Sequence, residues 1–232
     1  MIPPTSIDGT DITGASIDGT DVQEITVDGD VVFNAGPAII DDFESGNINN
    51  YSGDTGSFNV TSTNPIQGSN TLEGFLTTQY IFSQSGLANY PQAGDSFSFK
   101  MRVEGNVNVA SGMVFGIQSN TSQNYCVRFV STAGLDEITF LKNVSSGNFG
   151  QTLTTFAVSP DYNNDDFRFE IDWGTNGVFN IRAFNENTNQ QVASGTFTDT
   201  DYTSGGIGWF VSNATSSESY PDRILFDQAL IL

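Results

Sequence analysis

Two stretches of this sequence alternate apolar and polar residues at every step: SFSFKMRV (96–103) and FRFEIDW (167–173). Phe97, Phe99, Met101 and Val103 fall on one side of the first, with Ser98, Lys100 and Arg102 on the other. In the second, Phe167, Phe169, Ile171 and Trp173 oppose Arg168, Glu170 and Asp172. A period of two belongs to a β-strand with one buried face and is out of phase with a helix. VFNIRAF, GGIGWFVS and RILFDQALIL continue the theme, and Gly, Asn, Ser and Asp punctuate the intervals. From Ala38 onward the chain reads as about twelve short strands, the number that closes into an all-β, two-sheet antiparallel sandwich. The 19 Phe and 7 Tyr supply the bulk for its core.

The first 36 residues follow a different rule. The phrase [IV]-D-G-[TD] begins at Ile7, Ile17 and Val27, ten residues apart. Each Asp-Gly pair (Asp8-Gly9, Asp18-Gly19, Asp28-Gly29) is flanked by β-branched residues, the signal for a tight hairpin turn. EITVDGDVVF is the strongest of the three. A lone two-stranded hairpin is marginal in water, so residues 1–36 are expected to be a β-repeat module for docking or oligomerisation. Residues 38–232 form the main domain.

Charge narrows the functional classes. There are 27 acidic residues against 7 basic ones, only two of which are lysines, and no histidine; the net charge is −20. Such a chain repels itself in dilute buffer and is relieved at molar salt, where the Debye length falls to about 3 Å. The acids run through the whole sequence, a distribution expected of a halophilic protein. Nucleic acid is excluded as a partner, because phosphates require a basic footprint. The absence of His removes His-based triads and zinc–histidine hydrolase sites. Cys126, the one cysteine, lies in the apolar run YCVRFV and reads as a buried thiol. No apolar stretch reaches the ~18 residues of a membrane span. MIPPTSIDGT has neither a basic nor an apolar signal region, so no secretion signal is expected.

IIDDFESGNINNYSGD, GSNTLEG, FRFEIDWGTNGVFNIRAF, GGIGWFVS and ILFDQALIL occur in that order. Together they resemble the concanavalin A-like (LamG-type) jelly-roll domains of lectins, glucanases and phage tail proteins, over roughly residues 38–232. The run ASIDGTDVQEITVDGDVVF resembles the short β-module that opens many structural proteins of haloarchaeal tailed viruses. The first likeness implies a jelly-roll sandwich. It does not fix a function, since the fold hosts lectins, hydrolases and structural modules alike.

Candidate sites follow from these readings. Glucanases of this fold carry E-x-D-x-(x)-E on one strand; here the motif reads E-I-D-W-G-T-N from Glu170, and the third carboxylate is missing. A retaining glycosidase needs two carboxyls with distinct roles, so no catalytic residue is assigned and no enzymatic activity is expected. Glu170 and Asp172 read instead as outward acids for Arg102, Arg128 or Arg182 to pair with. The resemblance implies a structural Ca2+ held by a last-strand Asp, which makes Asp42, Glu44 and Asp227 candidate ligands, against a plainer reading as solvated carboxylates. The D-G-T-D and D-G-D repeats are explained by turns. Tyr90, Tyr162 and Tyr220, with Asp222, are candidate glycan contacts, because loop aromatics beside Asn and Asp suit sugar rings and hydroxyls. Sequons at Asn50, Asn59, Asn120, Asn143 and Asn213 are no more than such a composition produces by chance.

These lines converge on a virion surface protein of a haloarchaeal tailed virus, either a capsid turret or spike or a tail fibre or baseplate component. It would be assembled in the host cytoplasm, docked on other virion proteins through residues 1–36, and be a homo-oligomer, pentameric or trimeric, with a host-surface glycan as a further partner. The alternative is a cellular or secreted lectin-like protein or glycan hydrolase of a halophile.

Overall fold

The computed structural model describes every residue except 1–5, 8–9, 12–15, 18–19, 22–23, 28–29, 35–36, 75–77, 105–108, 133–134, 159–164 and 213–222. The chain divides into two compact units, Met1–Ala38 and Ile39–Leu232.

In the first unit, β1 (Ser6–Ile7) pairs with β2 (Thr10–Asp11), and β3 (Ser16–Ile17) pairs with β4 (Thr20–Asp21) in the same register ten residues on. β5 (Glu24–Val27) and β6 (Asp30–Asn34) form the longest of the three ladders. The expected EITVDGDVVF hairpin is therefore present as paired strands. The three Asp-Gly pairs themselves lie outside the described residues.

The second unit is an antiparallel jelly-roll sandwich. Its strands are β7 (Ala38–Asp41), β8 (Ser52–Gly53), β9 (Phe58–Thr61), β10 (Thr71–Gly74), β11 (Gln79–Ser83), β12 (Ser96–Glu104), β13 (Val109–Ile117) and β14 (Tyr125–Thr132). They continue through β15 (Leu135–Lys142), β16 (Gln151–Val158), β17 (Asp166–Trp173), β18 (Val178–Asn185), β19 (Gln190–Thr198), β20 (Gly206–Val211) and β21 (Arg223–Ile231). The sequence expectation of about twelve fell short because strands of two to four residues, such as β8 and β7, are too brief to show a period. One sheet runs β19-β18-β17-β12-β21-β10-β9, with β7 also on β21; the other runs β16-β15-β14-β13-β20-β11-β8.

The inward faces of both sheets make one aromatic core. Trp209 packs against Phe43, Phe99 and Phe226 with ring centroids 5.7, 6.0 and 4.8 Å away. Phe115 meets Phe97 at 5.0 Å and Trp173 at 5.3 Å. All the inward residues expected on β12 and β17 are buried there.

The two outward faces differ. On the eight-stranded sheet, alternation continues to the surface and the outward positions are ionic. Arg168 bonds Glu170 and, at 2.9 Å, Glu186; Lys100 reaches Glu186 at 2.8 Å; Arg102 holds Asp166 at 2.6 Å and Glu104 at 3.2 Å. On the seven-stranded sheet, the outward positions around β11, β13 and β20 are apolar and covered. Tyr80, Val114, Ile117, Cys126, Leu141 and Phe210 form a second buried cluster with Val144. Val144 belongs to the 143–150 loop, which returns across this face. The fully buried Asn124 pins the loop, donating to the Val144 carbonyl at 2.9 Å and accepting its amide at 3.1 Å. Phe149 follows, 5.8 Å from the Phe210 ring, with the Arg128 guanidinium 5.3 Å from its own. Cys126 is a free thiol, and burial pushes it up to about 12.

Two long edge strands, β16 and β19, close one side of the sandwich. Each carries a bulge, where register shifts between Phe140 and Leu141 leave Leu153 unpaired and shifts between Ala183 and Phe184 leave Val192 unpaired. The Phe156 ring of β16 lies so close over Gly195 of β19 that it fills the space a Cβ there would need. Glycine at 195 is what lets the two edges meet.

Candidate functional site: a loop groove beside Tyr90

Three loops converge at one end of the sandwich: 84–95 between β11 and β12, 118–124 between β13 and β14, and 199–205 between β19 and β20. They are tied by hydrogen bonds. The Ala93 amide donates to the Thr203 carbonyl at 2.7 Å. The Gln118 side-chain amide donates to the carbonyls of Gly116 at 2.8 Å and Ser204 at 2.7 Å, and Gln84 donates to the Gln118 carbonyl.

Between the loops lies an open groove of about 490 Å³ lined by Gln84, Tyr90, Pro91, Gln92, Ile117, Ser119 and residues 204–206. Local sequence explains its walls. Pro91 fixes its own φ and disfavours the helical region for Tyr90. The Gln92 amide donates to Asp95 Oδ2 at 2.9 Å and the Asp95 amide returns to the Gln92 carbonyl at 3.0 Å, a short closed turn. Tyr90 is half-buried. Its hydroxyl shares a hydrogen bond with Ser83 Oγ at 2.9 Å and accepts the Leu87 amide at 3.2 Å, which fixes the ring in place. Gly205 sits at φ +145°, with the space for a Cβ filled by the Ile117 carbonyl at 2.5 Å. Only glycine lets the third loop pass this closely.

The third loop is clamped from its other side. Lys142 Nζ bridges Asp199 at 2.9 Å and Asp201 at 2.6 Å; Tyr125 donates to Asp199 at 2.5 Å; Tyr202 donates to Asn143 at 2.6 Å. Burial alone would raise the Asp199 carboxyl, but Tyr125, the Asp201 amide and Lys142 together hold it below the usual range. Asp201 and then Asp199 raise the Lys142 ammonium, and burial followed by the bond to Asp199 pushes the Tyr125 phenol up.

Of the candidate glycan contacts, Tyr90 lines this groove. Tyr162, Tyr220 and Asp222 lie outside the described residues. Gln84, Gln92, Ser119 and Ser204 were not singled out from sequence. Loop glutamines and serines are too common to carry a signal, and only the Gly205-Gly206 pair hints at a close approach.

Asp42, Glu44 and Asp227 do come together, around the 67–70 loop. Glu44 Oε1 accepts the amides of Ser69 and Asn70 at 2.8 and 3.0 Å; Asp227 accepts those of Gln67 and Gln228 at 3.0 and 2.8 Å; Asp42 accepts that of Glu44 at 3.1 Å. Burial first, and then repulsion from Glu44 and Asp42, raises Asp227 to about 7 against the pull of its two amides. Calcium takes six to eight oxygens. These carboxylates are engaged by backbone donors, and among the described residues no three acidic side chains are arranged to hold a metal. The set does not fit Ca2+.

Glu170 and Asp172 stand on the ionic outward face. Glu170 bonds Arg168 and Arg182 (3.2 Å to the latter); Asp172 takes Arg182 at 3.4 Å and the Ser96 hydroxyl at 2.8 Å. Arg102 pairs elsewhere, and Arg128 is on the other sheet. Among the described residues no helix is long and apolar enough to cross a membrane.

No protein-family model matches the chain, and no curated protein does. Solved structures match its fold. One is a GH43 glycoside hydrolase engineered to show both endo-xylanase and exo-arabinofuranosidase activity, at 13% identity and TM-score 0.51, covering 85% of this chain and 41% of that one. Another is a mutant of the GH43 protein BlXynB from Bacillus licheniformis, at 12% identity and TM-score 0.53, covering 83% and 38%. The carbohydrate-binding module CBM66 from Bacillus subtilis aligns at 14% identity and TM-score 0.45, covering 79% and 95%. This chain thus spans about two-fifths of each hydrolase. At such identities the likeness is one of fold.

These matches correct the expectation that the chain is not an enzyme, since two of the fold's bearers are glycoside hydrolases. The expectation rested on one strand motif lacking a third carboxylate. That strand presents its acids to arginines on an outward face, so its incompleteness does not separate this chain from enzymes.

Proposed function

We propose that the sandwich is a glycan-binding domain and that its sugar site is the groove beside Tyr90. The observation that carries this reading is the lining itself. Half-buried Tyr90, immobilised by its hydrogen bonds, gives the groove an apolar side, while Gln84, Gln92, Ser119 and Ser204 supply amides and hydroxyls. Sugars present this combination in reverse, with C–H faces and hydroxyl edges. The fold shared with glycan-active proteins supports the same reading, and the matches favour it over a purely virion role. A glycan array followed by calorimetric titration tests it. Binding that drops at least tenfold in Tyr90→Ala, with the unfolding transition retained, is the expected result; no binding to any glycan rejects it.

The N-terminal ladders favour a second, compatible proposal. Three short hairpins repeating every ten residues suit a docking or self-associating base, and we assign that base to the surface of a haloarchaeal tailed virus, in a capsid turret or a tail, as a homo-oligomer. Deleting residues 1–36 is expected to leave a cooperatively folding monomer. A truncated chain that keeps the oligomeric mass of the full one would reject this role.

A further inference from the structure

The groove's lining is uncharged in a molecule that is otherwise densely acidic. From that contrast, and resting on the glycan-binding reading above, we infer that the site takes one or two rings of a neutral sugar and turns away uronic and sulfated ones.

Three observations carry the argument. First, the lining holds amides, hydroxyls, an aromatic ring and glycines, and no Lys, Arg, Asp or Glu. Amides and hydroxyls both donate and accept, which matches a neutral hydroxyl. A carboxylate or sulfate only accepts, and is bound tightly where an arginine or lysine faces it. Second, the cations whose side chains are among the described residues are committed elsewhere. Lys100, Arg102, Arg168 and Arg182 are in the outward ion network of the eight-stranded sheet, and Arg128 lies against Phe149. Lys142, on the far side of the groove's third loop, is shared by Asp199 and Asp201. Third, the fixed charges on the groove's own loops are carboxylates. Asp95 closes the turn at Gln92, and Asp201 precedes Ser204 by three residues with its side chain 54% exposed. An anionic sugar entering here meets repulsion without a compensating partner. A volume of about 490 Å³ is at the lower end for ligand sites and suits one or two pyranose rings.

The experiment titrates the full chain, by calorimetry at one fixed salt concentration, with neutral disaccharides (cellobiose, maltose, xylobiose) and acidic ones (digalacturonate and a sulfated disaccharide). At least one neutral member is expected to bind, and to bind on the order of tenfold or more tightly than any acidic member. Gln92→Ala and Ser204→Ala, both at exposed positions, are expected to weaken that binding about fivefold without moving the unfolding temperature. Acidic sugars bound as tightly as neutral ones would overturn the inference and leave the glycan-binding reading standing. Neutral binding unaffected by both substitutions would also overturn it, by placing the sugar elsewhere. If neither class binds, the glycan-binding reading fails and this inference with it.

Discussion

The outward faces of the two sheets are built from the same period of two and end in opposite chemistries. On the eight-stranded sheet the outward half of each long strand is polar, and four basic side chains among the described residues are there, each held by carboxylates. In the central strands of the seven-stranded sheet both halves are buried. β13 and β20 are buried at every position, and a loop anchored by Asn124 covers what would have been the wet side. One face is stabilised by apolar burial and the other by half-buried ion pairing shared among several partners, so perturbing single residues in them should cost very different amounts.

The largest effect should come from the covered face. Phe210→Ala removes a fully buried ring beneath Phe149 and is expected to cost about 3–5 kcal/mol in chemical denaturation. A cost below 1 kcal/mol would mean that the cover is loose and the two faces are alike. Salt should act next, and with the opposite preference. Raising it from ~0.1 M to ~2 M weakens the pairs of the ionic face but also screens the net charge of −20. The second effect dominates, and the melting temperature is expected to rise on the order of 5–10 °C. A flat response would show that the acidic excess is not a salt adaptation.

A smaller effect should follow pH, through Asp227. Its carboxyl is raised to about 7 in the folded chain, whereas an unfolded aspartate titrates near ~3.9. Between those values the folded state binds the extra proton, so this group's contribution falls as pH rises and its penalty is complete above ~7. Wild type is expected to lose about 1–2 kcal/mol between pH 5 and 8, and Asp227→Asn to lose less. Asp199 and Glu186, held low by their partners, lose their contribution only at more acidic pH and do not blur that window. The smallest effect belongs to the ionic face. Glu170→Gln leaves Arg168 with Glu186 and Arg182 with Asp172, and is expected to cost under ~1 kcal/mol.

The same contrast marks what the sequence discloses. SFSFKMRV and FRFEIDW announce the eight-stranded sheet because one side of each strand is wet, and every inward residue named from them is in the core. YCVRFV and GGIGWFVS show that their strands are buried but not what buries the second side. That side is covered by the 143–150 loop, through Val144 and Phe149, which carry no periodic signal. The groove is harder still. Tyr90 was legible as a loop aromatic, but Gln84, Ile117 and Ser204 come from its own loop, the end of β13 and the 199–205 loop. Only the hydrogen bonds of Gln118 and the tight passage at Gly205 bring those loops to one place. The acids Asp42, Glu44 and Asp227, named from sequence as metal candidates, lie around one loop with their oxygens turned to backbone amides that no sequence pattern reveals.

The meeting of Phe156 with Gly195 bears on solubility. In molar salt, with a Debye length of about 3 Å, charge no longer keeps copies of an acidic protein apart, and unpaired strand edges become the route to sheet-to-sheet fusion. Here the two long edges each carry a bulge and are stopped against one another by a phenyl ring over a glycine, while β8 and β9 at the opposite ends span only two and four residues. The edges of the sandwich are thereby blocked by geometry, which salt does not screen.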